Sequence, residues 1–421
     1  MKKSRLDEMI MRLEGLDSLE RREIEMLQLG KLNKLLRREC ERGGFYSELP
    51  EKLNSLAELS DLPFTTAEDL QRNSGRMLLC SQNEVQRVIT DRTSGTTGQP
   101  KRLFYTKEDL EHTVLLFMAG LGEFIYPGGR TMICMPFSGP YGLGELIAEA
   151  VERLGADALR IGPFLTYSEY EKVIREERPD TFVGMPVQLL SILRFCGKGS
   201  LQRALVSGDA CPETVMTQCE ALLGTELFPH YGSREMALGG AVTCPAHEGM
   251  HLRENHVIAE IIDEQGRVLP NGQYGELVIT TIGMAAQPLI RYRTGDYTRI
   301  LAEPCPCGSQ TIRLDQVRRK EEAGIPTIEE LDNILFGFPE VVDYHADYRL
   351  LFTTLPSANS NVQPSPCLHL ELLTVKDCPE TAICGLIREK YRNLDVTIAA
   401  RQCTGECRSL YSGKRVVASL Q

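Results

Sequence analysis

The chain has 421 residues, of which 47 are Lys or Arg and 58 are Asp or Glu, leaving a formal net charge of −11. That balance argues against binding nucleic acid through a basic field, and no nucleic-acid partner is expected. With 42% hydrophobic and 25% charged residues the composition is that of a soluble globular protein, and the length allows two or three domains with a large buried core.

The first residues, Met1-Lys2-Lys3-Ser4-Arg5-Leu6-Asp7-Glu8, begin basic and turn acidic without an apolar stretch, so no secretory signal is read there. Over 16–41, Leu, Ile and Met recur at helical spacing among Arg and Glu, which predicts an amphipathic helix ending before Gly43-Gly44. The longest apolar run, 114–122, is too short for a membrane span. A cytoplasmic protein without membrane contact is the expectation. Strand-like runs at 132–135, 181–184 and 204–206 then alternate with helix-like segments at 145–154, 187–195 and 213–223. That alternation predicts an α/β fold on a largely parallel sheet.

Over 256–281 the pattern changes to Val, Ile and Leu runs broken by Asp263-Glu264-Gln265-Gly266 and Asn271-Gly272, both turn signals between strands. A β-rich subdomain is expected over about 240–310. The tail has a polar loop at 357–361, strands at 368–375 and 396–400, and a helix at 380–394, which predicts a small α+β domain. The charged run Arg318-Arg319-Lys320-Glu321-Glu322 is the expected linker, dividing the chain into 1–318 and 319–421.

Three segments carry chemistry. Thr93-Ser94-Gly95-Thr96-Thr97-Gly98-Gln99-Pro100-Lys101 combines glycines that expose backbone N–H groups, hydroxyl donors and a lysine, which suits a polyphosphate; no Gly-Lys-Ser or Gly-Lys-Thr closes it, so it is not a Walker A loop. A polar surface turn is the alternative. The second is Tyr231-Gly232-Ser233-Arg234-Glu235 and the third Pro288-Leu289-Ile290-Arg291-Tyr292-Arg293-Thr294-Gly295-Asp296. Taken singly, Glu235 reads first as a solvated loop carboxylate and Asp296 as a turn residue, the commoner fates of such groups.

In this order the three segments resemble the core motifs of the adenylate-forming superfamily. With Leu62-Pro63-Phe64-Thr65-Thr66, Tyr141-Gly142-Leu143-Gly144 and Cys305-Pro306-Cys307-Gly308, they resemble most closely the phenylacetate–CoA ligase and coenzyme F390 synthetase family, over about 45–310. The resemblance implies a large domain of parallel sheets, helices and a β subdomain, with a small mobile α+β C-terminal domain. It implies an enzyme that activates a carboxylic acid with ATP through an acyl-adenylate and passes it to CoA, an aryl or arylacetic acid such as phenylacetate being favoured. A carrier protein or other nucleophile in place of CoA, or a non-catalytic nucleotide-binding accessory protein, is the alternative. Monomer and homodimer are both open.

By the same resemblance, Thr93, Ser94, Gly95, Thr96, Thr97, Gly98 and Lys101 would hold the ATP phosphates, and Ser207, Gly208 and Asp209 would line the adenine. Tyr231 would stack on the base, with Gly232, Ser233 and Arg234 beside it. Glu235 would hold Mg²⁺, Asp296 the ribose hydroxyls, and Arg313 would contact the nucleotide. Carboxylates are hard ligands for Mg²⁺ and paired acceptors for a diol. Phe137, Tyr141, Gly142 and Met185 would border the acid. Lys414, after Gly413, would stabilise charge developing between carboxylate and α-phosphate, unless it belongs to a frayed basic tail.

The sequence departs from the family after its Cys-x-Cys turn. Where relatives carry Arg-Ile-Gly-Arg and paired aspartates, this chain has Arg313-Leu314-Asp315-Gln316-Val317-Arg318-Arg319-Lys320.

Fourteen cysteines in a chain of this size do not read as a disulfide scaffold. Cys134, Cys196, Cys211 and Cys219 sit among apolar or small residues and read as buried small hydrophobes. Cys244, His251, Cys305 and Cys307 offer three thiolates and an imidazole, a set suited to structural Zn²⁺, and the family often carries such a cluster. Reduced thiols without a metal are the alternative, and His247 and His256 are rival nitrogen ligands.

Overall fold

The structure is a computed structural model. It describes residues 4–91, 101–320, 326–351, 365–410 and 418–419. The chain forms two compact units, one of residues 1–128, 137–158 and 228–319, the other of 129–136, 159–227 and 320–421. Among the described residues no helix is long and apolar enough to cross a membrane.

The first unit opens with two helices where the hydrophobic spacing predicts one. Arg5–Glu14 is capped by the Ser4 hydroxyl on the Asp7 N–H and ends at Gly15 in the left-handed conformation. Arg21–Arg42 starts from a Glu20/Glu23 capping box. The expected start at residue 16 is therefore early by five residues, because Gly15 and the box punctuate the chain more strongly than apolar spacing does. The β-rich part follows the turn signals: Val257–Ile262, Gly275–Thr281 and Tyr292–Thr298 pair antiparallel, and Arg318–Arg319 joins the last of them. A second antiparallel set joins Phe228–Tyr231, Ala241–Thr243, Met250–Leu252 and Arg313–Leu314. Val85–Asp91 pairs with Lys101–Thr106.

In the second unit Arg130–Ile133, Thr181–Gly184 and Arg203–Val206 pair in parallel, as the strand and helix alternation requires. The C-terminal elements are α+β: Val341–Leu351 and Ser365–Thr374 are antiparallel, and Asp395–Gln402 runs parallel to the latter. They are not separate from the middle of the chain. Helix Pro186–Cys196 is buried along most of its length, and Leu189 and Leu193 share one core with Leu335, Phe336, Tyr344 and Leu370. The Ser191 hydroxyl donates to the Val342 carbonyl at 2.6 Å, and Arg194 donates to the carbonyls of Phe336, Phe338 and Val341. A helix that is apolar on nearly every side needs cover on both, and the tail supplies the second layer.

Candidate active site

The site in the first unit begins with a buried ion pair. Lys101 opens the strand Lys101–Thr106, and Glu235 sits in the short turn Arg234–Met236. The Lys101 ammonium donates to Glu235 Oε1, and the Tyr292 hydroxyl donates to the same oxygen at 3.3 Å. Lys101 and Glu235 are 9% and 8% exposed, so each charge depends on the other. Burial alone would raise the Glu235 carboxyl, but the adjoining ammonium outweighs it and holds the group below its ordinary value. Glu235 is therefore a carboxylate at neutral pH.

The turn that carries Glu235 is strained and pinned. Ala237 and Leu238 both have left-handed backbone angles, with φ of 54° and 67°. Gly232 tolerates no side chain, since a Cβ there would stand 2.3 Å from the Leu238 carbonyl oxygen. Buried donors take the carbonyls of the turn: Tyr105 Oη on Arg234 at 2.7 Å, Thr113 Oγ1 on Ala237 at 2.5 Å, and Arg253 Nη2 on Met236 and Gly239 at 3.3 and 2.9 Å. Arg253 is 1% exposed, and burial pulls its guanidinium down to about 9, which still leaves it a cation at neutral pH.

Asp296 lies on the strand that also carries Tyr292. Its Oδ2 accepts from the Tyr231 hydroxyl at 2.8 Å, and Arg319 Nη1 stands 3.4 Å from Oδ1. Burial, and after it the Asp296 charge, pushes the Tyr231 phenol well above its ordinary value, so it stays a donor. Within this unit the structure thus forms two bonded sets, Lys101 and Tyr292 on Glu235, and Tyr231 and Arg319 on Asp296, with Tyr231 and Glu235 four residues apart in the chain. Tyr292 and Arg319 were not singled out by sequence reading; only the strand register, with Asp296 opposite Arg319, separates Arg319 from its charged neighbours. Arg313 joins neither set: it is 3% exposed and donates to the carbonyls of Glu248 and Glu303. Arg291 is likewise structural, forming two 3.0 Å bonds to Glu260.

The remaining expected residues lie elsewhere. Ser207, Gly208 and Asp209 follow the parallel strand Arg203–Val206 in the second unit, where Ser207 N–H bonds the Gly184 carbonyl at 2.9 Å. Met185 precedes helix Pro186–Cys196 and packs against Gly208. In the first unit, Phe137 lies against Gly144, while Tyr141, with φ of 62°, and Gly142 lead into helix Leu143–Arg153. Thr93, Ser94, Gly95, Thr96, Thr97, Gly98 and Lys414 lie outside the described residues.

The cysteine and histidine set is assembled by strand pairing. His251 stands opposite Val242 on one side and Arg313 on the other, which draws together Cys244 and the turn holding Cys305 and Cys307. One ligand atom from each of the four lies within 4.8 Å of the others. The Cys244 and Cys305 sulfurs are 3.6 Å apart, and Cys307 Sγ is 3.4 Å from His251 Nε2. The other ring nitrogen, Nδ1, meets Thr311 Oγ1 at 2.8 Å, and Thr311 bonds Ser309, which donates to Asp7 at 2.7 Å. Backbone N–H groups of Ala246 and Ser309 point at the Cys244 and Cys307 sulfurs. The rival His256 pairs edge to face with His112, and His247 with Phe228.

Fold and site meet in one class of protein. Residues 89–287 match the family model described as AMP-binding enzyme. Among solved structures, a 2-hydroxyisobutyryl-CoA ligase in the postadenylation state, in complex with R3-HIB-AMP, has a TM-score of 0.73 at 18% identity; the match covers 95% of this chain and 90% of that one. The fold is that of adenylate-forming enzymes. A phenylacetate–coenzyme A ligase of Aromatoleum evansii is 31% identical over 310 residues, 69% of each chain. Another, from Thermus thermophilus, is 28% identical over 387 residues, 85% of each. The chain belongs to the phenylacetate–coenzyme A ligase family.

Proposed function

We propose that the protein is an AMP-forming acid–CoA ligase whose acid is an aryl or arylacetic carboxylate, phenylacetate first. A carboxylate oxygen attacks the α-phosphorus of ATP, the bond to pyrophosphate breaks, and the thiol of CoA then attacks the acyl carbonyl with AMP leaving. The observation that carries this reading is the pairing of Lys101 with Glu235 and of Tyr231 with Asp296 in a chain of this family. Asp296 offers paired acceptors to a ribose diol. Glu235, ionised and buried beside a cation, is suited to hold Mg²⁺ when the phosphates draw Lys101 away. Thr93, Ser94, Gly95, Thr96, Thr97 and Gly98 would cradle the phosphates and Lys414 the reacting carboxylate. Ser207, Gly208 and Asp209 would line the adenine, and Phe137, Tyr141, Gly142 and Met185 the acid. A chain boundary at 318–319 and a cytoplasmic location belong to the same reading.

Structural Zn²⁺ at Cys244, His251, Cys305 and Cys307 is part of the proposal. Tetrahedral zinc with bonds of about 2.3 Å to sulfur and about 2.0–2.1 Å to nitrogen has S···S edges of about 3.8 Å and S···N edges of about 3.6 Å. The Cys244–Cys305 and Cys307–His251 separations of 3.6 and 3.4 Å are close to these. The Thr311 contact at Nδ1 leaves Nε2 for the metal.

Acid-dependent ATP–pyrophosphate exchange tests the adenylation step, and hydroxamate formation with a panel of acids identifies the substrate. Exchange that Lys101→Ala and Asp296→Ala leave unchanged would overturn these assignments. Adenylate formation without a CoA thioester would instead select a carrier protein or other nucleophile, and ATP binding without exchange a non-catalytic accessory protein.

A further inference from the structure

The second unit holds a pair of thiols that the proposed ligation does not use. Cys403 follows the strand Asp395–Gln402, and its N–H bonds the Thr374 carbonyl at 2.7 Å, so its backbone is fixed by the sheet edge. The next residues form a turn closed by Cys407 N–H on the Thr404 carbonyl at 3.0 Å. This folds the Cys407 sulfur back over the start of the turn. Thr404 N–H donates to it at 3.3 Å and the Thr404 hydroxyl stands 3.7 Å from it, which sets it beside the residue that follows Cys403, whose own thiol donates to the Thr404 carbonyl at 3.7 Å. The turn is held from outside as well: Tyr167 N–H bonds the Cys407 carbonyl and Ser168 N–H the Gly405 carbonyl, each at 2.9 Å. Downstream, the Ser409 hydroxyl and Leu410 N–H both donate to Asp343 Oδ2 at 2.8 Å.

Two features separate this pair from the other cysteines. Burial pushes the thiols of Cys80, Cys134, Cys196, Cys219 and Cys378 up, away from the reactive form. At Cys407 burial acts the same way, but the Thr404 N–H and hydroxyl, the Cys403 thiol and the Arg401 charge together outweigh it and hold the thiol below its ordinary value. Cys403, 6% exposed, is pushed by burial to about 12 and remains a neutral S–H. Second, among the described residues the only cluster of metal-ligand type is the one at Cys244; no third ligand of that kind completes a site around Cys403 and Cys407. Two adjacent sulfurs without further ligands favour sulfur–sulfur chemistry over coordination.

We propose that Cys403 and Cys407 form a reversible dithiol–disulfide site that exchanges with low-molecular-weight disulfides, Cys407 attacking and Cys403 resolving. The Cys407 thiolate attacks one sulfur of a disulfide RSSR, forming a mixed disulfide and releasing RS⁻. Cys403 gives up its proton to solvent and attacks the Cys407 sulfur, which expels the second RS⁻. The two protein thiols lose two electrons and two protons overall, and RSSR becomes two RSH.

The test uses the full-length protein in glutathione mixtures of rising oxidised fraction, followed by acid quenching, alkylation and trypsin. Cleavage after Arg401 and Arg408 releases Gln402–Arg408, which carries both thiols and no other cysteine. The expected result is a shift from the doubly alkylated peptide to an unalkylated one two hydrogens lighter than the free dithiol peptide, reversed by excess reduced glutathione. With Cys403→Ser, the Cys407–glutathione adduct should accumulate about tenfold over wild type, because no resolving thiol remains. With Cys407→Ser, Cys403 should stay unmodified in the folded protein. Two results would overturn the proposal: a doubly alkylated peptide under mixtures that oxidise the same residues in the denatured chain, or no adduct on Cys407 in Cys403→Ser.

Discussion

The first unit contains two concentrations of buried ionisable groups, and they are balanced in opposite ways. Around Glu235 the chain supplies its own counter-charge, Lys101, and adds the Tyr292 hydroxyl. Around Cys244, Cys305 and Cys307 it supplies three sulfurs, an imidazole and backbone donors, but no Lys or Arg side chain bonded to the sulfurs among the described residues. A buried charge that already has a partner can exchange it for a substrate. A set of sulfur and nitrogen donors is what the proposed Zn²⁺ would bridge. The first arrangement suits a step that repeats with each turnover; the second, with the proposed zinc bound, would be a permanent brace between strands Met250–Leu252 and Arg313–Leu314 and the Cys305 turn.

Breaking the ion pair should have the largest effect. Lys101→Ala is expected to lower ATP–pyrophosphate exchange by about 10²–10³-fold, roughly 3–4 kcal/mol of lost transition-state stabilisation. It also leaves Glu235 buried without a cation. Lys101→Met combined with Glu235→Gln removes both charges, so thermal stability should recover towards wild type while exchange does not. Recovery of both would mean the pair is structural only. Next, Cys305→Ser should cost on the order of 3 kcal/mol of stability and release the metal. Metal analysis of purified wild type should find zinc equimolar with the chain. Protein free of zinc, and a Cys305→Ser variant with unchanged melting, would remove the contrast between the two groups.

How much of this was legible in advance depended on range. The β-rich part was readable because Gly266 and Asn271-Gly272 are local turn signals, and Gly266 and Gly272 take positive φ there. The four metal-type ligands were readable from their chemistry and a resemblance, although strand register is what joins His251 to residues more than fifty positions away. Register was also what sequence could not supply for the arginines. Arg313 and Arg319 belong to one charged segment, yet Arg313 turns to the Glu248 and Glu303 carbonyls and Arg319 faces Asp296. Arg253 carried no signal at all, since its role is to meet carbonyls distant in the chain. The expected helix over 16–41 is Arg21–Arg42, begun late by the Glu20 box, and the helix Arg5–Glu14 before it, closed by Gly15 in the left-handed region, was not read from the sequence.

Arg253 gives a smaller and more diagnostic effect. It touches none of the charges of the site but holds the carbonyls of Met236 and Gly239, on either side of the strained residues that follow Glu235. Arg253→Met, assayed well below its melting temperature, should raise the KM for Mg-ATP about tenfold, near 1.4 kcal/mol, with a smaller change in kcat. Arg253→Lys should restore part of it. Equal losses in kcat and in the affinities for ATP, acid and CoA would show a general loss of folded enzyme instead.

Glu39 shows a third way of meeting the same difficulty, and the smallest expected effect. It is 1% exposed, and neither carboxylate oxygen has a hydrogen-bond partner of good geometry. Burial outweighs the Tyr46 backbone N–H and the pull of Arg42 and Arg38, and raises its carboxyl above the ordinary glutamate value. Such a group binds a proton more tightly folded than unfolded, so it lowers stability at pH values above its folded pKa. That penalty fades as the pH falls from the raised value to the ordinary one. Glu39→Gln removes the charge and keeps the shape. The variant should melt a few degrees higher than wild type at pH 7, and the difference should shrink steadily on acidification. A gain independent of pH would mean that packing, not the unpaired charge, sets the effect. A loss of stability at neutral pH would mean that Glu39 has a counter-charge after all, placing it with Glu235 and not in a class of its own.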